Sequence, residues 1–310
     1  MSISNKIVVT GGSGMVGRFL QPLLPNAIYL SSKDYNLCDE LDVKKLFAEL
    51  KPETVIHLAA RVGGIMDNMK YPADYFDENV LMNTYMVKHA HLNNCKRFIA
   101  ILSTCIYPDV ASKYPTTESM LHEGPPTATN FSYGYAKRSL AVQMDAYNKQ
   151  YGTIYSYLIP CNLFGEYDHF DFQRSHFVSA VIRKIYEAQR DGKKSIELFG
   201  SGKPLRQFMY AKDLAVVIEQ VIEKNISENF NVAVDENLSI RQIAEVALKA
   251  CNASDLQITF DSSKPDGQFR KDAGNERLKQ LLPSFKFTSL EEGIKITYTK
   301  MKAQWNHESH

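Results

Sequence analysis

The chain has 310 residues, 44% of them hydrophobic and 23% charged, with 36 Lys and Arg against 35 Asp and Glu for a net charge of +1. That length buries a substantial core, as one large α/β unit or as a nucleotide-binding domain with a smaller partner. The balanced charge offers no field for nucleic acid or an anionic membrane, so the expected ligand is small. Five cysteines (Cys38, Cys95, Cys105, Cys161, Cys251) form no CxxC pair and are odd in number, which indicates neither a disulfide framework nor a zinc site, and no metal is expected.

The opening MSISNKIVVTGG has no cationic region leading into an apolar one, and no later run approaches a membrane span, so a soluble, cytoplasmic protein is expected. Lys6 to Thr10 reads as a short buried strand that runs into a glycine cluster and then the apolar helix face of Met15, Val16, Phe19 and Leu20. Strands are predicted at Ala27 to Leu30, Thr54 to Leu58 and Arg97 to Leu102, alternating with helices at Asp42 to Leu50 and Asn79 to Asn94. Helix Tyr133 to Tyr151 leads to strand Tyr155 to Ile159, where Pro160-Cys161-Asn162-Leu163 ends the pattern. Such alternation implies an α/β fold, a Rossmann-type doubly wound parallel sheet with helices on both faces.

Residues 1–163 are assigned to this dinucleotide-binding domain and 164–310 mostly to a smaller α/β substrate-binding lobe, with some segments returning to the first domain. In the second part Glu166 to Arg174 is rich in aromatic and ionisable residues and reads as a binding loop. Helices are predicted at His176 to Arg190, Asp213 to Lys224, Ser239 to Cys251 and Leu290 to Trp305, a strand at Ser195 to Phe199 and a turn at Gly200 to Pro204. The polar tail from Asn306 to His310 is expected to fray.

The segment Thr10-Gly11-Gly12-Ser13-Gly14-Met15-Val16-Gly17 places glycines 11, 14 and 17 between a strand and a helix. In that context Gly11 permits a tight turn, Gly14 lets backbone approach a pyrophosphate, and Gly17 lets the helix pack closely. The second strand ends in Ser31-Ser32-Lys33 rather than an acid. Hydroxyls and an ammonium suit a 2′-phosphate, so NADP(H) is favoured over NAD, with Lys33 as the principal charge.

Ser103-Thr104-Cys105-Ile106-Tyr107-Pro108 closes the fourth strand, and Tyr133-Gly134-Tyr135-Ala136-Lys137 opens the next helix. Tyr133 and Lys137 share a helix face, from which the ammonium is expected to lower the phenol pKa and ready it as a proton donor. Carbonyl reduction needs a hydride and a proton but no thiol. Cys105 therefore points to an added chemical step.

These residues resemble the extended short-chain dehydrogenase/reductase family, and within it the GDP-L-fucose synthase family, over nearly the whole chain. The resemblance rests on GGSGMVG, SSKDYNL, HLAARVGGI, STCIYP, NFSYGYAKR, PCNLFG, the Ser175-His176 pair, LFGSGKPLRQF and KPDGQFRK. It implies NADPH-dependent reduction of the C4 ketone of a GDP-4-keto-6-deoxy sugar, with inversion at C3 and C5. In the family Cys105 and His176 match the base and acid of inversion, while Ser103, Tyr133 and Lys137 serve reduction. By position Gly12, Ser13, Met15, Val16, Ser32, Leu37, Leu58, Ala59, Ala60, Leu102, Pro160, Asn162, Leu163 and His176 join the cofactor contacts. Asn162, Lys184, Phe199, Arg206 and Asp266 match substrate contacts, Phe199 standing where relatives have tryptophan and reading equally well as a strand-core aromatic. A homodimer is a further expectation of the resemblance.

Departures gather at the sugar end: PCN for PTN, GEYDHF for GPHDNF, and FVSA after His176. They leave open a C4 reductase without inversion, or the same chemistry on a GDP-4-keto-6-deoxy-heptose. A dehydratase would need an acid pair where Cys105 and Ile106 stand, and a simple C4 epimerase has no use for Cys105 and His176. A non-catalytic NADP-binding sensor is the alternative of a different class, and retention of Tyr133 and Lys137 argues against it.

Overall fold

Apolar runs too short for helices form largely buried strands, as expected where both faces of a sheet are covered. The computed structural model describes residues 6–171, 175–264 and 266–308. Its first strands are β1 (Ile7–Thr10), β2 (Ile28–Leu30), β3 (Thr54–His57), β4 (Arg97–Ile101) and β5 (Ile154–Pro160). Between them run α1 (Met15–Leu20), α2 (Glu40–Leu50), α3 (Ile65–Lys70), α4 (Pro72–Leu92) and α5 (Phe131–Tyr151). Beyond β5 follow β6 (Asn162–Phe164), α6 (Phe177–Arg190), β7 (Ser195–Phe199), β8 (Leu205–Arg206), β9 (Phe208–Tyr210), α7 (Ala211–Glu223) and β10 (Phe230–Val232). The chain ends with β11 (Leu238–Ser239), α8 (Ile240–Ala250), β12 (Gln257–Asp261), α9 (Glu276–Leu281) and α10 (Leu290–Glu308).

The main sheet has six strands in the order β10-β5-β4-β3-β1-β2, each neighbouring pair parallel. The helices α2, α4 and α5 pack as one group and α1 with α7 as another, the two-sided cover of a Rossmann-type doubly wound sheet. From β1 the order runs one way to β2 and the other way to β3, so a crevice opens beyond the carboxyl ends of the strands at that reversal. A smaller set of elements closes the crevice from the other side. It includes the parallel pair β7 and β12, the antiparallel pair β8 and β11, and helices α6, α8 and α10.

A buried polar relay ties the strand ends beneath the crevice. Thr10 Oγ1 lies 2.8 Å from His57 Nδ1, and His57 Nε2 lies 3.0 Å from Asn83 Oδ1 on α4. Burial, with Lys137 nearby, pulls the His57 pKa down to about 3, so this imidazole is a neutral strut at physiological pH.

Several elements differ from the sequence reading. The α4 helix begins at Pro72 rather than near Asn79, with the proline in its first turn, and from Pro72 to Glu78 only Tyr75 is buried, so no apolar stripe marks those turns. The last helix continues through Glu308 rather than loosening at Asn306. Residues 172–174 of the expected binding loop, Pro265 of the KPDG stretch and residues 309–310 lie outside the described residues. Among the described residues no helix is long and apolar enough to cross a membrane.

Candidate active site

One cleft of about 2120 Å³ spans the carboxyl ends of β1, β3, β4 and β5 and the elements that face them. It is larger than a single drug-sized pocket of roughly 300–1,000 Å³, and has room for two extended ligands side by side. Its floor is built by strand ends that stop in small residues. Gly11 has φ of +67°, and a Cβ there would stand 2.8 Å from the Ala59 amide nitrogen, so only glycine lets the β1 loop pass the end of β3. A Cβ on Gly17 would stand 2.5 Å from the Gly12 carbonyl oxygen, which lets α1 start flush against its own loop.

Of the predicted cofactor residues, Gly11, Ser13, Gly14, Met15, Val16, Gly17, Ser32, Leu37, Leu58, Ala59, Ala60, Leu102, Ser103, Tyr133, Lys137, Pro160, Asn162, Leu163 and His176 line this cleft. Two do not. Gly12 packs under Tyr29 and donates its amide to the Leu30 carbonyl at 2.7 Å. Lys33 is exposed in the turn between the lining residues Ser32 and Tyr35. In that turn the Asp34 carboxylate is folded back onto the Ser31 amide and hydroxyl at 2.7 and 2.8 Å and is not a lining group.

Ser103 caps a single 3₁₀ turn, Thr104–Ile106, its Oγ accepting from the Cys105 amide at 3.3 Å. The tight turn buries Thr104 and Ile106 and leaves Ser103 and Cys105 lining the cleft. Tyr133 and Lys137 sit one turn apart on α5. Lys137 is buried and donates to the Ile101 carbonyl at 2.9 Å, with burial lowering its pKa to about 8. The phenol of Tyr133 is pushed up rather than down, by burial first and then by Cys105 and Tyr75. The expected depression by Lys137 is thus absent: every resolved influence on this phenol raises its pKa. Tyr133 keeps its proton.

Cys105 and His176 each have an oppositely charged companion. Burial alone would raise the Cys105 pKa, but the Lys271 ammonium, donating to Sγ at 2.8 Å, outweighs it together with Ser103 and Asn130, and the thiol is held below its usual value. His176 precedes α6, with Nδ1 at 3.0 and 3.2 Å from the two oxygens of Asp168. Burial opposes ionisation of His176, yet Asp168, aided by Cys105, holds its pKa above the usual value. The Asp168 side chain is only 3% exposed and also accepts from the Ser179 hydroxyl. By contrast, burial pushes the Cys161 thiol up to about 12.

The predicted substrate residues Asn162, Lys184, Phe199, Arg206 and Asp266 line the same cleft. The Phe199 ring is 60% exposed, so it is no strand-core aromatic, and Lys184 and Lys264 stand 5.4 and 5.8 Å from its centroid. Asp266 accepts from the Ser201 amide and hydroxyl at 2.6 and 2.7 Å, pinning the Gly200 turn beside it. Asn162 donates to the Gln207 carbonyl at 2.8 Å. In the segment 166–170, His169 alone lines the cleft. Glu166 is buried against Tyr210 and Lys300, and Tyr167 packs on Phe19 and Arg18 of α1.

A model of the NAD dependent epimerase/dehydratase family matches residues 7–233. The chain belongs to that family. Among its relatives in the family is a "Probable GDP-L-fucose synthase" from Drosophila melanogaster, 38% identical over 305 residues that cover 93% of this chain and 94% of the relative. A GDP-L-fucose synthetase structure from Naegleria fowleri bound to NADP superposes with a TM-score of 0.89 at 35% identity, covering 100% of this chain and 95% of that one. A GDP-6-OMe-4-keto-L-xylo-heptose reductase from C. jejuni also reaches 0.89, at 26% identity, over 98% of this chain and 99% of that one.

Two groups at the centre of the site were not singled out from sequence. Lys271 lies in the KPDGQFRK stretch and Asp168 in the ionisable loop, and in both cases only the fold shows the partner. The loop's unusual density of ionisable residues was the one available signal for Asp168.

Proposed function

We propose that this chain reduces the C4 ketone of a GDP-4-keto-6-deoxy sugar with NADPH, after inverting C3 and C5 in the same cleft. The observation that carries the reading is the paired arrangement of Cys105 with Lys271 and His176 with Asp168, beside the reductive set Ser103, Tyr133 and Lys137. A reductase alone has no need of the first pair.

The residues fit a dinucleotide. The glycine cradle leaves no space for a side chain at Gly11, Ser31 and Ser32 face the cleft, and Asp34, tied to Ser31, presents no carboxylate against a 2′-phosphate. When bound, NADPH supplies hydride to C4. Lys137, anchored on the Ile101 carbonyl, is within the cleft to bind the ribose hydroxyls.

For inversion the C4 ketone acidifies the hydrogens at C3 and C5. The Cys105 thiolate takes one proton, the electron pair moves into an enolate, and Ser103 and Tyr133 hydrogen-bond the developing oxyanion. His176, kept protonated by Asp168, returns a proton to the opposite face. Once the Cys105 thiol has released its proton to solvent and the His176 imidazole has taken one up, the same pair serves the other centre. In reduction Tyr133 gives its proton to the C4 oxygen as the C–H bond forms. Arg206 suits the diphosphate, and Phe199 with its flanking lysines suits the guanosine end.

In this reading residues 1–163 hold the dinucleotide and most of 164–310 the sugar nucleotide, with α7 and β10 packed back on the sheet. The working state is a cytoplasmic homodimer, tested by light scattering and cell fractionation. A second reading, the same chemistry on a heptose or reduction without inversion, is favoured by the likeness to the C. jejuni heptose reductase. Both are tested by offering purified enzyme the hexose and heptose forms of the GDP-keto sugar with NADPH and assigning the products by NMR. The hexose yielding a C3/C5-inverted alcohol supports the first reading. An uninverted alcohol, or turnover of the heptose alone, supports the second.

A further inference from the structure

Resting on the proposed function, we infer that Lys271 is the positioning residue that keeps the Cys105 sulfur ionised as the base of inversion. A thiol enclosed by protein stays protonated unless a cation stands close to it. Several charged or titratable groups face this sulfur: Lys271 from the segment after Asp266, His176 ahead of α6, Arg206 of β8 and Tyr133 of α5. Ser103 and Asn130 are its uncharged neighbours. Behind these stand Asp168, bound to His176, and Asp266, near Arg206. Arg206 is engaged with its own chain, Nη1 donating to the Leu205 carbonyl at 2.7 Å. Lys271 donates to the sulfur itself, at 2.8 Å.

The backbone around Lys271 is fixed on both sides, which makes this contact a built feature. Ahead of it the Leu205 amide donates to the Phe269 carbonyl at 2.8 Å. Behind it the Thr116 amide donates to the Asp272 carbonyl at 2.9 Å, and the Ala273 amide to Gln207 Oε1 at 2.9 Å. Arg270 grips the Asp272 carboxylate through Nε and Nη2 at 2.6 and 3.0 Å. The neighbouring cation and anion thus satisfy each other, and the ammonium of Lys271 is left to the cleft. The same contact raises a second reading, a lysine waiting for the diphosphate, which the test separates.

The test is the pH dependence of iodoacetamide alkylation of Cys105 in the full-length, ligand-free protein, followed on its own peptide by mass spectrometry. In wild type the reaction is expected to be well developed below the ordinary thiol range. Lys271→Gln should move the profile to higher pH and slow alkylation at pH 7 by about tenfold or more, while Lys271→Arg should keep most of the wild-type rate. With the keto sugar and no NADPH, Lys271→Gln should lower kcat for solvent exchange at C3 and C5 more than it raises KM. A wild-type Cys105 that alkylates only as an ordinary thiol overturns the inference without any variant. So does a Lys271→Gln protein with an unmoved alkylation profile and a raised KM, the signature of a diphosphate contact. Wild type that alkylates at low pH but exchanges neither hydrogen sinks the epimerase reading and not the ionised sulfur, so the two fail separately.

Discussion

Replacing Gly11 by alanine is the sharpest perturbation of the cofactor cradle, and Gly152 supplies its control. Both glycines hold left-handed backbone, with φ of +67° and +68°. At Gly152, the cap of α5, a Cβ meets nothing within 4 Å, so alanine there costs only the left-handed strain of about 1–2 kcal/mol. At Gly11 the same strain applies, and the new methyl also falls 2.8 Å from the Ala59 nitrogen and 3.0 Å from Ala59 Cα. Those are backbone atoms at the end of β3 and cannot swing aside, which adds roughly 1–3 kcal/mol of overpacking. Gly11→Ala should therefore lose about 2–5 kcal/mol in all, divided between stability and NADPH affinity according to how far the loop gives way. Urea denaturation and fluorescence titration with NADPH measure the two parts on each variant. The reasoning is refuted if Gly11→Ala matches Gly152→Ala in stability and still binds NADPH as wild type does.

Three other changes probe separate parts of the site. Tyr133→Phe should leave NADPH binding nearly intact while lowering kcat for C4 reduction by about 10²–10⁴-fold, measured by NADPH absorbance; equal turnover would remove Tyr133 as proton donor. Asp168→Asn takes away the group that holds the His176 pKa up, so burial pulls it down and the imidazolium is lost at lower pH. The alkaline limb of the C3/C5 exchange profile should move to lower pH, with the rate at pH 7.5 down roughly tenfold; an unmoved limb would free His176 from this role. Lys300→Met leaves the buried Glu166 carboxylate with Tyr210 alone. Because the lysine side chain is 56% exposed, the loss should be about 1–3 kcal/mol in urea denaturation, with substrate preference unchanged.

The reductive half of the site was legible because each of its residues lies next to a strand end that the apolar runs mark. KIVVT leads into Gly11, RFIAI into Ser103, and one helical turn joins Tyr133 to Lys137. The epimerising half was legible only as Cys105 and His176. Lys271 sits 166 positions from Cys105 in sequence, and a loop lysine is by default a solvated one. Asp168 and Glu166 are neighbouring acids in one loop, yet one orients His176 and the other is packed under α10. No local pattern separates them. The early turns of α4 were hidden for a different reason: from Pro72 to Glu78 only Tyr75 is buried, so those turns carry no apolar period. Strands β8 and β11, two residues each, exist through pairing alone.

The central claim is that one cleft inverts C3 and C5 before it reduces C4. Its most direct test is proton NMR of GDP-4-keto-6-deoxymannose in heavy water with wild-type enzyme and no NADPH. The signals of the C3 and C5 hydrogens should fade as solvent deuterium replaces them, and Cys105→Ser should leave both in place. Persistence of both signals with wild-type enzyme that goes on to oxidise NADPH when it is added would contradict the claim and leave a C4 reductase.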